Sequence, residues 1–178
     1  METQSGYSVF LVDDDKMFLT SLKNNLQQQF GSALKISEFA TGEECLHNME
    51  AHVEAKNPPD IVILDYYLND DEHPNALDGM KVLREIRTIS KDIVVIMLSG
   101  QDKLQVAIDS VKNGAYEYIA KSESAFVRIQ NTLKNAIENI KSSRENNKYF
   151  KLNITMAVVI LTIILLDVIW YYSSHYSF

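Results

Sequence analysis

The chain has 178 residues, of which 46% are hydrophobic, and a formal net charge of -7, enough for one domain with a real core and a short appendage but not for two full domains. The acidic balance argues against a general affinity for the nucleic-acid backbone, which depends on clustered Lys and Arg, so no nucleic-acid partner is expected. The single cysteine, Cys45, cannot form an internal disulfide and fits a reducing compartment, while His47, His52, His73 and His175 match no metal motif and are assigned no role.

The opening "METQSGYS" has no basic region followed by an apolar run, so no cleavable secretory signal is expected. The first strand is predicted near 8–12 and runs straight into Asp13, Asp14 and Asp15, ahead of a helix near 15–29. Adjacent carboxylates repel one another, which points to a cation between them. A plainer reading has Asp15 capping the helix that opens at Lys16, with Asp13 and Asp14 merely solvated. The triplet alone favours neither.

A second strand is predicted near 35–39, and Thr41 with Glu44 forms a capping box for a helix near 42–55. Pro58 and Pro59 end that helix before a strand near 60–64. Further helices are expected near 78–89, 102–112 and 123–147, and further strands near 93–98 and 116–119. Gly114 marks the stop of the fourth helix. "IVILD" and "IVVIML" are nearly continuous apolar runs, as in strands covered on both faces, and belong at the centre of the sheet. The alternation of apolar runs with amphipathic segments reads as a parallel sheet with helical crossovers. Phe126, Ile129, Leu133, Ile137 and Ile140 give the fifth helix a stripe that can pack on it.

After Ile140 the stripe fades. Residues 141–151, "KSSRENNKYFK", are polar enough for a solvated helical extension or a short linker. Residues 152–172 then carry one charge in about the length needed to cross a bilayer. About eleven Ile, Leu and Val residues between Ile154 and Ile169 contribute on the order of -3 to -7 kcal/mol to insertion, and Asp167 costs at most about 2.5 to 3.5. Insertion wins. Trp170, Tyr171 and Tyr172 form an aromatic belt, and Lys141, Arg144, Lys148 and Lys151 place positive charge on the N-terminal flank, so the N-terminal domain is expected on the cytoplasmic side of a cytoplasmic membrane. Asp167 either pairs with a polar group on a partner helix or lies near the far interface. The alternative for the segment is a buried or oligomer-forming helix. Residues 173–178 form a short tail.

In an open parallel sheet the functional crevice lies outside the carboxyl ends of the strands. Those ends carry Asp13 and Asp14, Asp65, Ser99 and Lys121. Carboxylates from two strands make a hard oxygen site suited to Mg²⁺. Beside it Asp65 can act as a nucleophile on phosphorus, with Mg²⁺, Lys121 and the Ser99 hydroxyl neutralising the equatorial oxygens.

The ordered set "LVDDD" at 11–15, "ILDYYL" at 63–68, "LDGMKVLREIR" at 77–87, "MLSG" at 97–100 and "YEYIAK" at 116–121 resembles the receiver domain of two-component response regulators over about residues 7–140. The resemblance implies a flavodoxin-like, doubly wound five-stranded parallel sheet over residues 6–140; the 141–151 segment and the transmembrane helix over 152–172, read from composition and length, follow it. It implies Asp65 as phosphoacceptor, Asp13 and Asp14 as the acidic metal pair, and the Tyr67 main-chain carbonyl completing the Mg²⁺ ligands with Asp65. It makes Ser99 and Lys121 the contacts to the phosphoryl group. Ser99 and Tyr118 are then the switch pair; Tyr118 matches an aromatic that reorients on activation, and its alternative is a half-buried strand tyrosine.

Three departures stand out. The loop 69–76 lengthens the gap from Asp65 to Gly79 and adds acid, Ser122 replaces a usual proline, and Gly100 a usual alanine. Competence is expected to survive all three. The expected function is a stand-alone, membrane-anchored receiver that takes a phosphoryl group from a phosphohistidine on a histidine kinase or histidine phosphotransfer protein. It acts as a phosphoacceptor, not a turnover enzyme; its output is expected to be a contact with an unknown output protein through the face near Ser99, Tyr118 and the fourth helix, or phosphate storage, and a homodimer is possible. A phosphorylation-independent membrane scaffold is one alternative. The other is a haloacid-dehalogenase-like phosphatase, disfavoured because Tyr67 stands where such enzymes place a second acid.

Overall fold

The computed structural model describes residues 6–68, 77–100 and 104–175. They form β1 (Tyr7–Val12), α1 (Lys16–Phe30), a 3₁₀ turn (Gly31–Ala33), β2 (Leu34–Phe39), α2 (Gly42–Glu54), β3 (Ile61–Asp65), α3 (Gly79–Ile89), β4 (Val94–Ser99), α4 (Leu104–Lys112), β5 (Glu117–Ala120) and α5 (Ala125–His175). All four strand pairings are parallel, in the order β2-β1-β3-β4-β5. This is the flavodoxin-like doubly wound order, which reverses direction between β1 and β3.

β3 is buried at every position and lies in the middle of the sheet, as its unbroken apolar run requires. Alternate strand residues serve opposite faces. On one face Phe10, Val12, Val62, Leu64, Val95 and Met97 pack with Cys45 and Met49 of α2 and Val82, Leu83 and Ile86 of α3. On the other, the buried stripes of α1 (Leu19, Leu22, Leu26) and α5 (Ile129, Leu133, Ala136) close the core, and Gln130 donates to Asn25 across them at 2.8 Å. Burial pushes the Cys45 thiol up to about 12, so it behaves as a small apolar side chain.

The helix ends have local causes. Asp15, Thr41 and Asp78 cap α1, α2 and α3 with side-chain oxygens. α2 stops at Glu54, before the prolines, where Lys56 takes a left-handed φ of 56°. Gly114 turns the chain out of α4 at φ +96°, which an L side chain rarely adopts. Its carbonyl accepts Arg87 Nε at 3.0 Å and Nη2 at 2.8 Å, while Arg87 Nη1 donates to the Ile93 carbonyl at 2.7 Å. The guanidinium thereby ties the ends of α3 and α4 to the start of β4.

The chain divides into two units, the first ending at Ile137 and the second starting at Glu138. The fifth helix does not stop near 147: α5 is one continuous helix through the 141–151 segment, which is the helical extension of the two alternatives. No Gly or Pro interrupts the sequence from Ala125 to His175, so nothing stops the helix. Every described side chain from Lys141 to Asp167 is exposed, including the whole apolar run from Ile154. The segment is long and apolar enough to cross a membrane.

Candidate functional site

The sheet delivers four strand ends to one rim. Asp13 follows β1 directly, Asp65 closes β3, Ser99 closes β4 and Lys121 follows β5. Each is held there by its backbone. Asp13 N donates to Phe39 O at 3.1 Å, Tyr66 N to Leu98 O at 2.8 Å, and Lys121 N to Ser99 O at 2.7 Å. The chain thus stays tied to its neighbouring strand as it turns into each loop, beside the β1–β3 switch point where such sheets bind ligands.

The aspartate triplet divides its labour. Asp15 Oδ1 accepts from Met17 N at 2.9 Å and Phe18 N at 3.0 Å, which is the plain capping role. Asp13 and Asp14 turn instead to Asp65, and ligand atoms of the three carboxylates lie within 4.8 Å of one another. Asp15 N donates to Asp13 Oδ1 at 3.1 Å and fixes its rotamer. The capping reading therefore holds for Asp15, while Asp13 is buried and not merely solvated.

Lys121 Nζ reaches Asp13 Oδ2 at 2.7 Å and Asp65 Oδ2 at 2.9 Å, with side chains only 2% and 5% exposed on the acid partners. The contact to Asp13 Oδ2 is an ion pair without the directional geometry of a hydrogen bond. Asp65 Oδ1 is buried and accepts no hydrogen bond among the described residues. Among the described residues one ammonium stands beside the three carboxylates, so the cluster keeps an excess of negative charge in a poorly solvated place. Burial, offset in part by Lys121 and reinforced by Asp13 and Asp14, pushes Asp65 up to about 6. Burial also raises Asp13, against the pull of Lys121. For Lys121 burial alone would lower the value, but Asp65 and Asp13 outweigh it and hold the ammonium charged.

The donor set fits a hard divalent cation. Three carboxylates converge, and one buried oxygen lacks a partner that a cation would supply. Tyr67 lies two residues past Asp65, its ring packed edge-on against Tyr66 with centroids 4.7 Å apart. Ser99 is fully buried. Tyr118 is partly buried and packs against the core. The acidic loop 69–76 lies outside the described residues. A Cβ at Gly100 would meet nothing within 4 Å, so the family's usual alanine has room there. Ser122 follows Lys121 with no cis peptide among the described residues.

Two contributors carry no role in the sequence reading. Gly79 opens α3, and its N–H donates to Tyr66 O at 3.0 Å. A Cβ there would strike the Asp65 carbonyl oxygen and Tyr66 Cα. Gly79→Ala is therefore expected to push α3 off the end of β3 and displace Asp65. Loss of about 1 to 3 kcal/mol of stability in urea denaturation, together with weakened cation binding, would be the outcome. Retained stability with normal binding would show that the loop yields instead. The glycine stood inside the "LDGM" motif, yet the close approach is invisible without coordinates. Phe18 is the other, its ring centroid 4.6 Å from Lys121 Nζ.

Comparison with known proteins agrees with this geometry. The model of the response regulator receiver domain matches residues 9–134. The chain belongs to that family. Among curated relatives, the C4-dicarboxylate transport transcriptional regulatory protein DctD of Rhizobium meliloti is 28% identical over 66% of this chain and 23% of its own. The acid tolerance regulatory protein ActR of the same organism is 31% identical over 66% of this chain and 54% of its own. The chain thus spans between about a quarter and a half of the relatives' length. Among solved structures, a CheY-like receiver domain protein from Methanospirillum hungatei superposes with a TM-score of 0.65, at 22% identity, covering 78% of this chain and 99% of that one. The CheX-CheY-BeF3-Mg²⁺ complex from Borrelia burgdorferi gives 0.61 at 25% identity, covering 74% and 89%. As a receiver, the chain takes part in two-component phosphorelay signalling. Receiver domains bind Mg²⁺ in the acidic pocket, where this chain places Asp13, Asp14 and Asp65.

Proposed function

We propose that the protein is a membrane-anchored receiver that accepts a phosphoryl group on Asp65 from a phosphohistidine. The observation that carries this is Asp65 itself, buried at the end of β3, with one oxygen on Lys121 and the other without a hydrogen-bond partner among the described residues. A carboxylate oxygen of Asp65 attacks phosphorus, the bond from phosphorus to the donor imidazole nitrogen breaks, and that nitrogen leaves with the electron pair. Asp13, Asp14, Asp65 and the Tyr67 carbonyl would hold Mg²⁺, which when bound neutralises phosphoryl oxygens. Lys121 keeps its proton and follows the transferred group, and Ser99 supplies a hydroxyl from β4. The solved complex with BeF3 and Mg²⁺ supports the chemistry.

The chain is a phosphoacceptor and not a turnover enzyme, since Tyr67 offers no second acid for a phosphatase cycle. Output runs by protein contact near Ser99, Tyr118 and α4. Leu104, Ile108 and Val111, at i, i+4 and i+7 on α4, are 76%, 38% and 55% exposed and give such a contact an apolar face. A histidine kinase or phosphotransfer protein is the donor. The helix from about 152 to 172 anchors the protein. Tyr149 and Phe150 at one end and Trp170 and Tyr171 at the other are exposed and about 20 residues apart, roughly 30 Å along a helix. Lys148 and Lys151 flank the first pair on the side assigned to the cytoplasm.

The test is intact-mass analysis of a fragment of residues 1–148 after incubation with acetyl phosphate and Mg²⁺. Gain of one phosphoryl group is expected, absent without Mg²⁺ and in Asp65→Asn. No gain by a folded, Mg²⁺-binding fragment would favour the scaffold reading. For the anchor, the 178-residue chain is expected to float with liposomes in an alkaline carbonate wash, and a chain ending at 148 to stay in the soluble fraction. Release of both would discard the anchor.

A further inference from the structure

Lys121 has a third neighbour besides its two carboxylates. Its ammonium lies 4.6 Å from the centroid of the Phe18 ring, within reach of a cation–π contact. Phe18 sits in the first turn of α1, where the Asp15 cap fixes its backbone through Phe18 N. Its ring is held from behind by Phe126 of α5, centroids 5.6 Å apart at an interplanar angle of 63°. That edge-to-face pairing is a favourable aromatic arrangement and restrains the ring. The Lys121 side chain is itself only 18% exposed, so the contact is poorly screened by water.

We propose that Phe18 is the positioning residue for Lys121, an aromatic seat that keeps the ammonium aimed at Asp65 as the carboxylate oxygen forms its bond to phosphorus. This rests on the reading that Lys121 contacts the phosphoryl group. Lys121 is a flexible four-carbon chain with a point charge, and its orientation is costly to fix. The carboxylates alone cannot fix it, because Asp65 loses negative charge at the attacking oxygen and a cation would share Asp13. The ring is the one of these three partners whose attraction survives both events. A ring at this place costs nothing in charge and closes the α1 side of the ammonium.

The test is a series in which residue 18 of the 178-residue chain, in detergent micelles, carries phenylalanine with none, one, two or three ring fluorines. Fluorine withdraws charge from the π face while nearly preserving shape, so packing stays and the cation–π attraction fades. Phe18→Leu removes the face altogether. The acetyl phosphate reaction at Asp65 is expected to slow stepwise with fluorination and about two- to fivefold in Phe18→Leu, with the melting temperature level across the fluorinated series. The Lys121 ε-methylene resonance is expected upfield of other lysines through the ring current and to return stepwise. A flat rate across the series, or an unshifted Lys121 in the parent, would overturn the proposal. If the parent takes up no phosphoryl group, the receiver reading fails separately, and the resonance decides: a graded return upholds the seat, and no shift ends it.

Discussion

Lys121→Met is expected to abolish most phosphoryl uptake while tightening Mg²⁺ binding. In the proposed reaction the ammonium stabilises charge on the phosphoryl oxygens in the transition state, and loss of one such contact in a desolvated site costs about 10² to 10³ in rate. It also competes with a cation for Asp13 and Asp65, which it meets at 2.7 and 2.9 Å. Remove it and the cation meets three carboxylates without a rival. Metal-free Lys121→Met protein should be less stable at pH 8 by about 3 to 5 kcal/mol, because two buried carboxylates lose their partner. Acid should restore it as they protonate. Mg²⁺ titration by tyrosine fluorescence and intact mass after acetyl phosphate measure the two effects. Weaker Mg²⁺ binding in a folded variant would show that Lys121 helps build the cation site instead of contesting it.

The second large effect is on stability against pH without metal. Asp65 is raised in the fold, from 3.8 to about 6. A group raised on folding contributes stability that is whole below its unfolded value and lost as pH passes its folded one, so the metal-free domain should weaken between about pH 4 and 6. For Asp65 alone two units correspond to on the order of 3 kcal/mol. Asp13 is raised too and acts in the same direction. Lys121 is also raised, but its contribution persists until alkaline pH. Mg²⁺ reverses the loss: at about 100 times its dissociation constant it should add about 2.7 kcal/mol at pH 8. Asp65→Asn should stabilise the metal-free domain at pH 8 and respond less to Mg²⁺. Urea denaturation of residues 1–148 with chelator, across pH 4 to 8, is the measurement. A metal-free domain that gained stability over that range would mean that Lys121 fully compensates the cluster.

Much of this was legible from periodicity and spacing. Continuous apolar runs identify β3 and β4 as strands covered on both faces, because an exposed strand would not carry four or more apolar residues in a row. Polar residues placed one after another at strand ends identify Asp13, Asp65, Ser99 and Lys121, because a parallel sheet brings all those ends to one rim. The apolar length of 152–172 is likewise a property of composition. The end of the fifth helix was not legible, since a fading hydrophobic stripe says where packing stops and not where hydrogen bonding does.

Residue chemistry alone did not divide the aspartate triplet; the tertiary structure sends Asp15 to cap α1 and Asp13 to Lys121 and Asp65. Adjacent residues of identical chemistry differ there in direction alone, and direction is set by backbone angles that no spacing records. Gly79 and Phe18 belong to the same class. One is required by the approach of α3 to the end of β3, and the other draws its meaning from a lysine 103 residues away. Sequence determined which groups reach the rim; distances that arise only when distant segments pack decided which of them touch.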